Sequence, residues 1–222
     1  MKGISPDLVH SLSLLMILTS FAAVEARNLR HATIAYLFQA LLICGLLVAY
    51  SVQNTALLYW AATALVTKAV LVPWFLWRAT AGAEQEIKPL IGFGPSAVLL
   101  IALLLIMYKL THMHAGLFIG AVTGNLAAIL PTNLAVAFTV FGLGIYAILT
   151  RRDAIKAVIG LCLLENGVHL SLVSLAPGIE ETALAGIATE VVVTVYLLLY
   201  IIGGIRSQFG STDTYKLSEL HW

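Results

Sequence analysis

Apolar residues gather into seven runs along the chain, near 5–24, 31–51, 55–77, 94–110, 132–150, 155–175 and 183–204, each bounded by polar, glycine or proline residues. Each run is about the 20 residues a helix needs to cross a bilayer's hydrocarbon core at 1.5 Å per residue. The pattern predicts an all-α, polytopic membrane protein with seven transmembrane helices. It divides the chain into a four-helix region over 1–110, an outer connection over 111–131, a three-helix region over 132–204 and a tail over 205–222. The 111–131 connection is mildly apolar and holds Gly116, Gly120, Gly124 and Pro131, which suits either a loop or a short re-entrant or interfacial segment. The first run ends in Glu25-Ala-Arg27 and further spans follow, so it reads as a retained helix and not a cleaved signal peptide.

Charge orients the bundle. Placing the C-terminus in the cytoplasm puts Arg27, Arg30, Arg78, Lys88, Arg151, Arg152, Lys156, Arg206 and Lys216 inside, nine of the 12 basic residues. Lys2 and Lys109 then lie toward the outside, where the 176–181 loop is acidic, and seven spans put the N-terminus outside. Tyr and Trp side chains toward span ends (Trp60, Trp74, Trp77, Tyr108) suit an interfacial belt. The two three-span segments 6–78 and 131–204 also suggest a parallel duplication: at an offset of 126, Arg30 meets Lys156, Gln39 meets Glu165 and Ala62-Thr63 meets Ala188-Thr189.

Composition narrows the function. The chain is 60% hydrophobic and 10% charged over 222 residues, so almost nothing remains outside the bilayer. No basic patch supports nucleic-acid binding. Two cysteines, Cys44 and Cys162, sit in apolar runs without C-x-x-C or Cys/His clustering, so the chain is expected to ligate neither an iron–sulfur cluster nor nickel, and to carry no catalytic centre of its own. The His112-x-His114 pair at an outer boundary has no further ligand nearby.

The candidate chemistry lies inside the spans. Lys68 is central in the third, Glu165 in the sixth, and Glu190 lies in the first half of the seventh. A charge at the bilayer centre costs about 2.5–3.5 kcal/mol on insertion scales, so such residues usually serve proton or ion paths or are held as interhelical pins. Glu165 and His169 are four apart and share a helix face, with Asn166 beside them; Thr194 is a weaker candidate. Pro73 is expected to kink the third helix and free a carbonyl near Lys68. Gly160, Gly167, Gly186, Gly203 and Gly204 are expected at close helix contacts.

Arg151-Arg152-Asp153, Ile159-Gly160-Leu161 and two successive acidic helices resemble the three-helix small subunit of complex I, NuoK, and the related MrpC antiporter subunit. That family's pattern is an R-R-N loop, then I-G-L-E, then A-x-E. Glu190 matches the second acid; the first would fall on Cys162, with Glu165 almost one helical turn later. Over nearly the whole chain the sequence is similar to the hydrogenase-4 component E family, HyfE. The stretches are Thr67-Lys68 with Leu71-Val72-Pro73, Phe93-Gly94-Pro95, Gly160-Leu-Cys-Leu-Leu-Glu165-Asn166-Gly167-x-His169-Leu170, Gly186-Ile-Ala-Thr-Glu190 and Gly210-Ser-Thr-Asp213. Lys68-x-x-x-x-Pro73-x-x-x-Trp77 is similar to the lysine helix of antiporter-like subunits.

The resemblance implies a membrane subunit of a group 4 [NiFe]-hydrogenase complex, such as formate hydrogenlyase, in the inner membrane of a prokaryote. Its expected partners are antiporter-like membrane subunits, a membrane anchor subunit and hydrogenase subunits. The [NiFe] centre and iron–sulfur clusters would lie in those other subunits. Glu165, Glu190 and Lys68 would extend a line of titratable groups along the bilayer midplane, assisted by His169, Asn166 and Thr194. A cation/proton antiporter component without a redox partner, and a scaffold whose buried charges are structural, are the alternatives.

Overall fold

A computed structural model describes residues 6–52, 54–81, 89–119, 125–176 and 181–214. Lys2, Lys88, Lys216, Gly120, Gly124, residues 177–180 of the acidic loop and the end of the tail lie outside the described residues. Seven long apolar helices cross the molecule: α1 (Pro6–Glu25), α2 (Leu29–Tyr50), α3 (Ala56–Thr80), α4 (Phe93–Met113), α5 (Asn125–Thr150), α6 (Ala154–Leu175) and α7 (Glu181–Phe209). The expected spans are all present, with ends moved by a few residues. The largest shift is at α5, which starts at Asn125 and carries Pro131 inside the helix instead of in the preceding connection. Transmembrane helices tolerate an internal proline because neighbouring groups re-satisfy the freed carbonyl. Ala115–Ile119 forms a separate short helix, so the 111–131 segment is not a plain loop.

Two polar caps start the helices that carry the site. Asn28 accepts a hydrogen bond from Arg30 N at 2.8 Å to open α2, and Asp153 accepts from Ile155 N at 2.7 Å and Lys156 N at 3.1 Å to open α6. Their backbones are nearly the same, φ −81°, ψ 127° for Asn28 and φ −81°, ψ 126° for Asp153.

α5 and α6 form the most extensive helix contact. Glycine makes it possible: a Cβ on Gly144 would stand 2.5 Å from Leu164 N, and one on Gly167 would stand 2.7 Å from Ala137 O. Gly160 is in the same seam, where a Cβ would reach 2.9 Å from that of Ala147. Without a hydrophobic drive between helices in lipid, such close backbone approach is the main source of packing energy. Gly186, Gly203 and Gly204 differ from expectation. They face open space, with nothing within 4 Å of where a Cβ would stand.

α2 packs on α1, α3 and α6, and α1 also lies along α5, so α2 sits inside the bundle. α4 lies at the edge against α5, while α7 leans on α3 more than on α6.

Candidate functional site

α3 is not α-helical throughout. Ala56–Ala64 and Val72–Thr80 are α-helix, and Leu65–Leu71 between them is a π-helical turn with Lys68 at its centre. Pro73 lies in the first turn of the second α segment, and Val72 N–H reaches back five residues to Thr67 O. Wider π turns concentrate at functional positions.

The Lys68 side chain is 1% exposed and ends against α6. Its Nζ lies 2.6 Å from Asn166 Oδ1, within hydrogen-bond contact of His169 Nδ1, and 3.1 Å from Glu165 Oε1. Spacing explains the convergence, since residues 165, 166 and 169 fall on one helical face. Glu165 Oε1 also lies 3.5 Å from His169 Nε2, an ion-pair distance without hydrogen-bond alignment. On its far side Asn166 donates from Nδ2 to Gln39 Oε1 of α2 at 2.7 Å. Trp60 of α3 meets the His169 ring edge-on, with centroids 5.1 Å apart. One lysine thus ties three helices together through polar side chains.

Glu165 is the most exposed member of this group. Its side chain is 22% exposed, and it lines a cavity of about 310 Å³ between α6 and α7. Glu190 and Thr194 of α7 and His169 of α6 line the same cavity, in a wall otherwise mostly apolar that includes Val168 and Val191. Lys68 therefore lies on the inner side of Glu165 and Glu190 on the outer side. The acid displaced from the small-subunit position still faces the second acid. Cys162, which holds that position, lines the cavity, and both cysteines are free and buried. His112 and His114 are exposed at the end of α4, each ring nitrogen on a carbonyl of its own helix, Tyr108 O at 2.9 Å and Leu110 O at 3.0 Å.

Two further polar clusters escape a reading by span. At the basic end, Arg151 forms an ion pair with Glu25, 126 residues away, and its Nη2 lies 3.3 Å from Tyr146 Oη, which meets Ser96 Oγ. Lys156 closes the C-terminus of α1 by donating to the carbonyls of Ala23, Val24 and Ala26. The chain after α7 returns here: Gly210 turns it at φ 72°, Thr212 Oγ1 donates to Asp153 Oδ2 at 2.6 Å, and Thr214 N donates to Arg152 O at 2.8 Å. Burial pushes the Asp153 carboxyl above its ordinary range, opposed by Thr212, the two capping amides and Lys156. At the other end Ser13 donates to Asn133 Oδ1 at 2.9 Å, and Asn133 donates to Tyr50 Oη. The in-span amides Gln39 and Asn133 were the available signals, since each must find a partner in lipid. The Arg151–Glu25 pair gave none, because both residues read as surface charges.

Residues 132–222 match the family model described as NADH-ubiquinone/plastoquinone oxidoreductase chain 4L. The whole chain is similar to hydrogenase-4 component E of Escherichia coli (strain K12), 31% identical over 215 residues that cover 96% of this chain and 97% of the relative. An uncharacterised protein of Mycobacterium tuberculosis is 27% identical over 210 residues, 92% of each chain. No solved structure matches.

Proposed function

Because this chain belongs to the hydrogenase-4 component E family, we propose that it is a membrane-arm subunit of an energy-converting hydrogenase-type complex. Its task is to pass a proton or charge displacement, coupled to electron transfer, through Lys68, Glu165 and Glu190. The supporting observation is the asymmetric setting of Glu165, with Lys68 Nζ at 3.1 Å on one side and the cavity it shares with Glu190 on the other. Unit charges at 4 Å interact by about 4 kcal/mol at an effective dielectric of 20, so a charge arriving at one group alters the proton affinity of the next by about three units. His169 and Asn166 hold Lys68 in register, and Thr194 offers a hydroxyl to the cavity.

The redox centres, [NiFe] and iron–sulfur clusters, belong in this reading to other subunits. The partners are antiporter-like membrane subunits, an anchor subunit and hydrogenase subunits, in a prokaryotic inner membrane. The excess of Lys and Arg assigns the C-terminal end to the cytoplasm. The duplication of 6–78 in 131–204 is part of the proposal, supported by the like caps of α2 and α6 and by the bond between Gln39 and Asn166, each pair one residue away from the 126 offset.

A second reading, a scaffold with structural charges, draws on Lys68 being held by three side chains of α6. Substitution separates the two. In inverted vesicles carrying the whole complex, Glu165→Gln and Glu190→Gln should leave assembly and electron transfer in place while proton movement falls at least about tenfold, the scale of removing one positioned proton-transfer group. Glu165→Asp should keep part of it. Full proton movement in both Gln variants, with assembly intact, would falsify the relay and leave the scaffold.

A further inference from the structure

Gln39 is fully buried on α2; its Oε1 accepts from Asn166 Nδ2 at 2.7 Å, while Asn166 Oδ1 accepts from Lys68 Nζ at 2.6 Å. An ammonium is a donor without acceptor capacity, and a primary amide is a donor at nitrogen and an acceptor at oxygen. The order of groups is therefore forced. Lys68 needs the oxygen of Asn166, so the nitrogen of Asn166 faces α2, where only an oxygen can receive it. A donor at that point would turn Asn166 round and set its NH₂ against the ammonium.

We infer that Gln39 is a positioning residue for the Lys68 site, holding the Asn166 amide in the orientation that keeps its oxygen on the lysine. This rests on the reading of Lys68 as a working member of the path. Two more observations bear on it. Among the described residues Gln39 Nε2 is buried without a hydrogen-bond partner, so the bond from Asn166 is what orients the Gln39 amide there. Asn166 and Gln39 both have no exposure, so the bond between them is closed off from the cavity. The arrangement is the amide counterpart of an outer group that orients a metal or catalytic ligand through its second atom.

The test uses the assembled complex in inverted vesicles, with Gln39→Met, Gln39→Glu, Asn166→Leu and the double variant Gln39→Met/Asn166→Leu. Gln39→Met keeps the volume and removes the acceptor, and should lower proton-coupled activity about tenfold, the worth of a hydrogen bond to a charged network. Gln39→Glu presents an oxygen to Asn166 in either protonation state and should restore most of it. In the Asn166→Leu background the Met substitution should cost little more, because no amide remains to be oriented.

Equal losses in the Met and Glu variants, or a Met loss of the same size in both backgrounds, overturn the inference in favour of packing alone. Should Gln39→Met fail to assemble, the Glu variant decides by itself: assembly with near-normal activity supports orientation, and a matching failure overturns it. Lys68→Met separates this result from the wider reading. If it is defective while Gln39→Met is normal, only the role of Gln39 falls; if it is itself normal, the path falls and the role of Gln39 with it.

Discussion

Removing the positive charge from the centre of the bundle should reveal how much of Glu165 depends on Lys68. Lys68→Met preserves the unbranched side chain that fills the π turn but deletes the ammonium from three contacts, Glu165 Oε1 at 3.1 Å, Asn166 Oδ1 at 2.6 Å and His169 Nδ1. At 3.1 Å and an effective dielectric of 20, Coulomb attraction amounts to about 5 kcal/mol. Glu165 keeps 22% exposure toward the cavity, which screens part of this. Breaking one side of a buried pair typically costs about 3–5 kcal/mol, whereas removing both charges is nearly neutral. The expected result in detergent-purified protein is a melting point lower by roughly 10 °C in Lys68→Met, at 2–4 °C per kcal/mol for a chain of this size. Lys68→Met/Glu165→Gln should recover much of that loss, a coupling of about 2 kcal/mol or more in the double-mutant cycle. Strictly additive losses would refute the ion pair as the organising contact of the site.

The seam and the tail offer further checks. Gly144→Val should prevent α5 and α6 from closing, since even a Cβ would lie 2.5 Å from Leu164 N, and should lower the yield of folded protein and break cross-links placed between the two helices. Gly203→Ala, which meets nothing within 4 Å, should leave both unchanged. Asp153 should destabilise the fold as pH rises. Burial holds its carboxyl above the ordinary range of an aspartate, so the folded state holds the proton more tightly than the unfolded chain. That advantage is full below the unfolded value and is lost as pH climbs through the folded one. Melting curves across the acid range should show wild type falling relative to Asp153→Asn, which retains an acceptor for the cap; parallel curves would contradict it.

How much of this was legible depends on what each feature's physics required. Seven apolar runs had to be helices, because a backbone in lipid must bond within its own segment, and run length alone set the number of spans. The identity of Lys68, Glu165 and Glu190 as the costly residues was equally local. Each is an ionisable group inside an apolar run, and no tertiary information is needed to recognise the expense.

Their arrangement was decided between helices. A π turn rotates Lys68 relative to an ideal helix, and that rotation sets its ammonium against Asn166, His169 and Glu165 together. α7 packs on α3 more than on α6, and Glu165 and Glu190 line the cavity between α6 and α7. Gly144 and Gly167 lie in a contact while Gly203 and Gly204 do not, although all four sit in similar apolar sequence. Glu25 and Arg151, read as surface charges, became a buried pair because the ends of α1 and α5 meet. Sequence alone determined which residues must be buried or paired, since solvation energy belongs to each residue separately. Only the tertiary structure decided with whom they pair, since distance between side chains is set by the packing of whole helices.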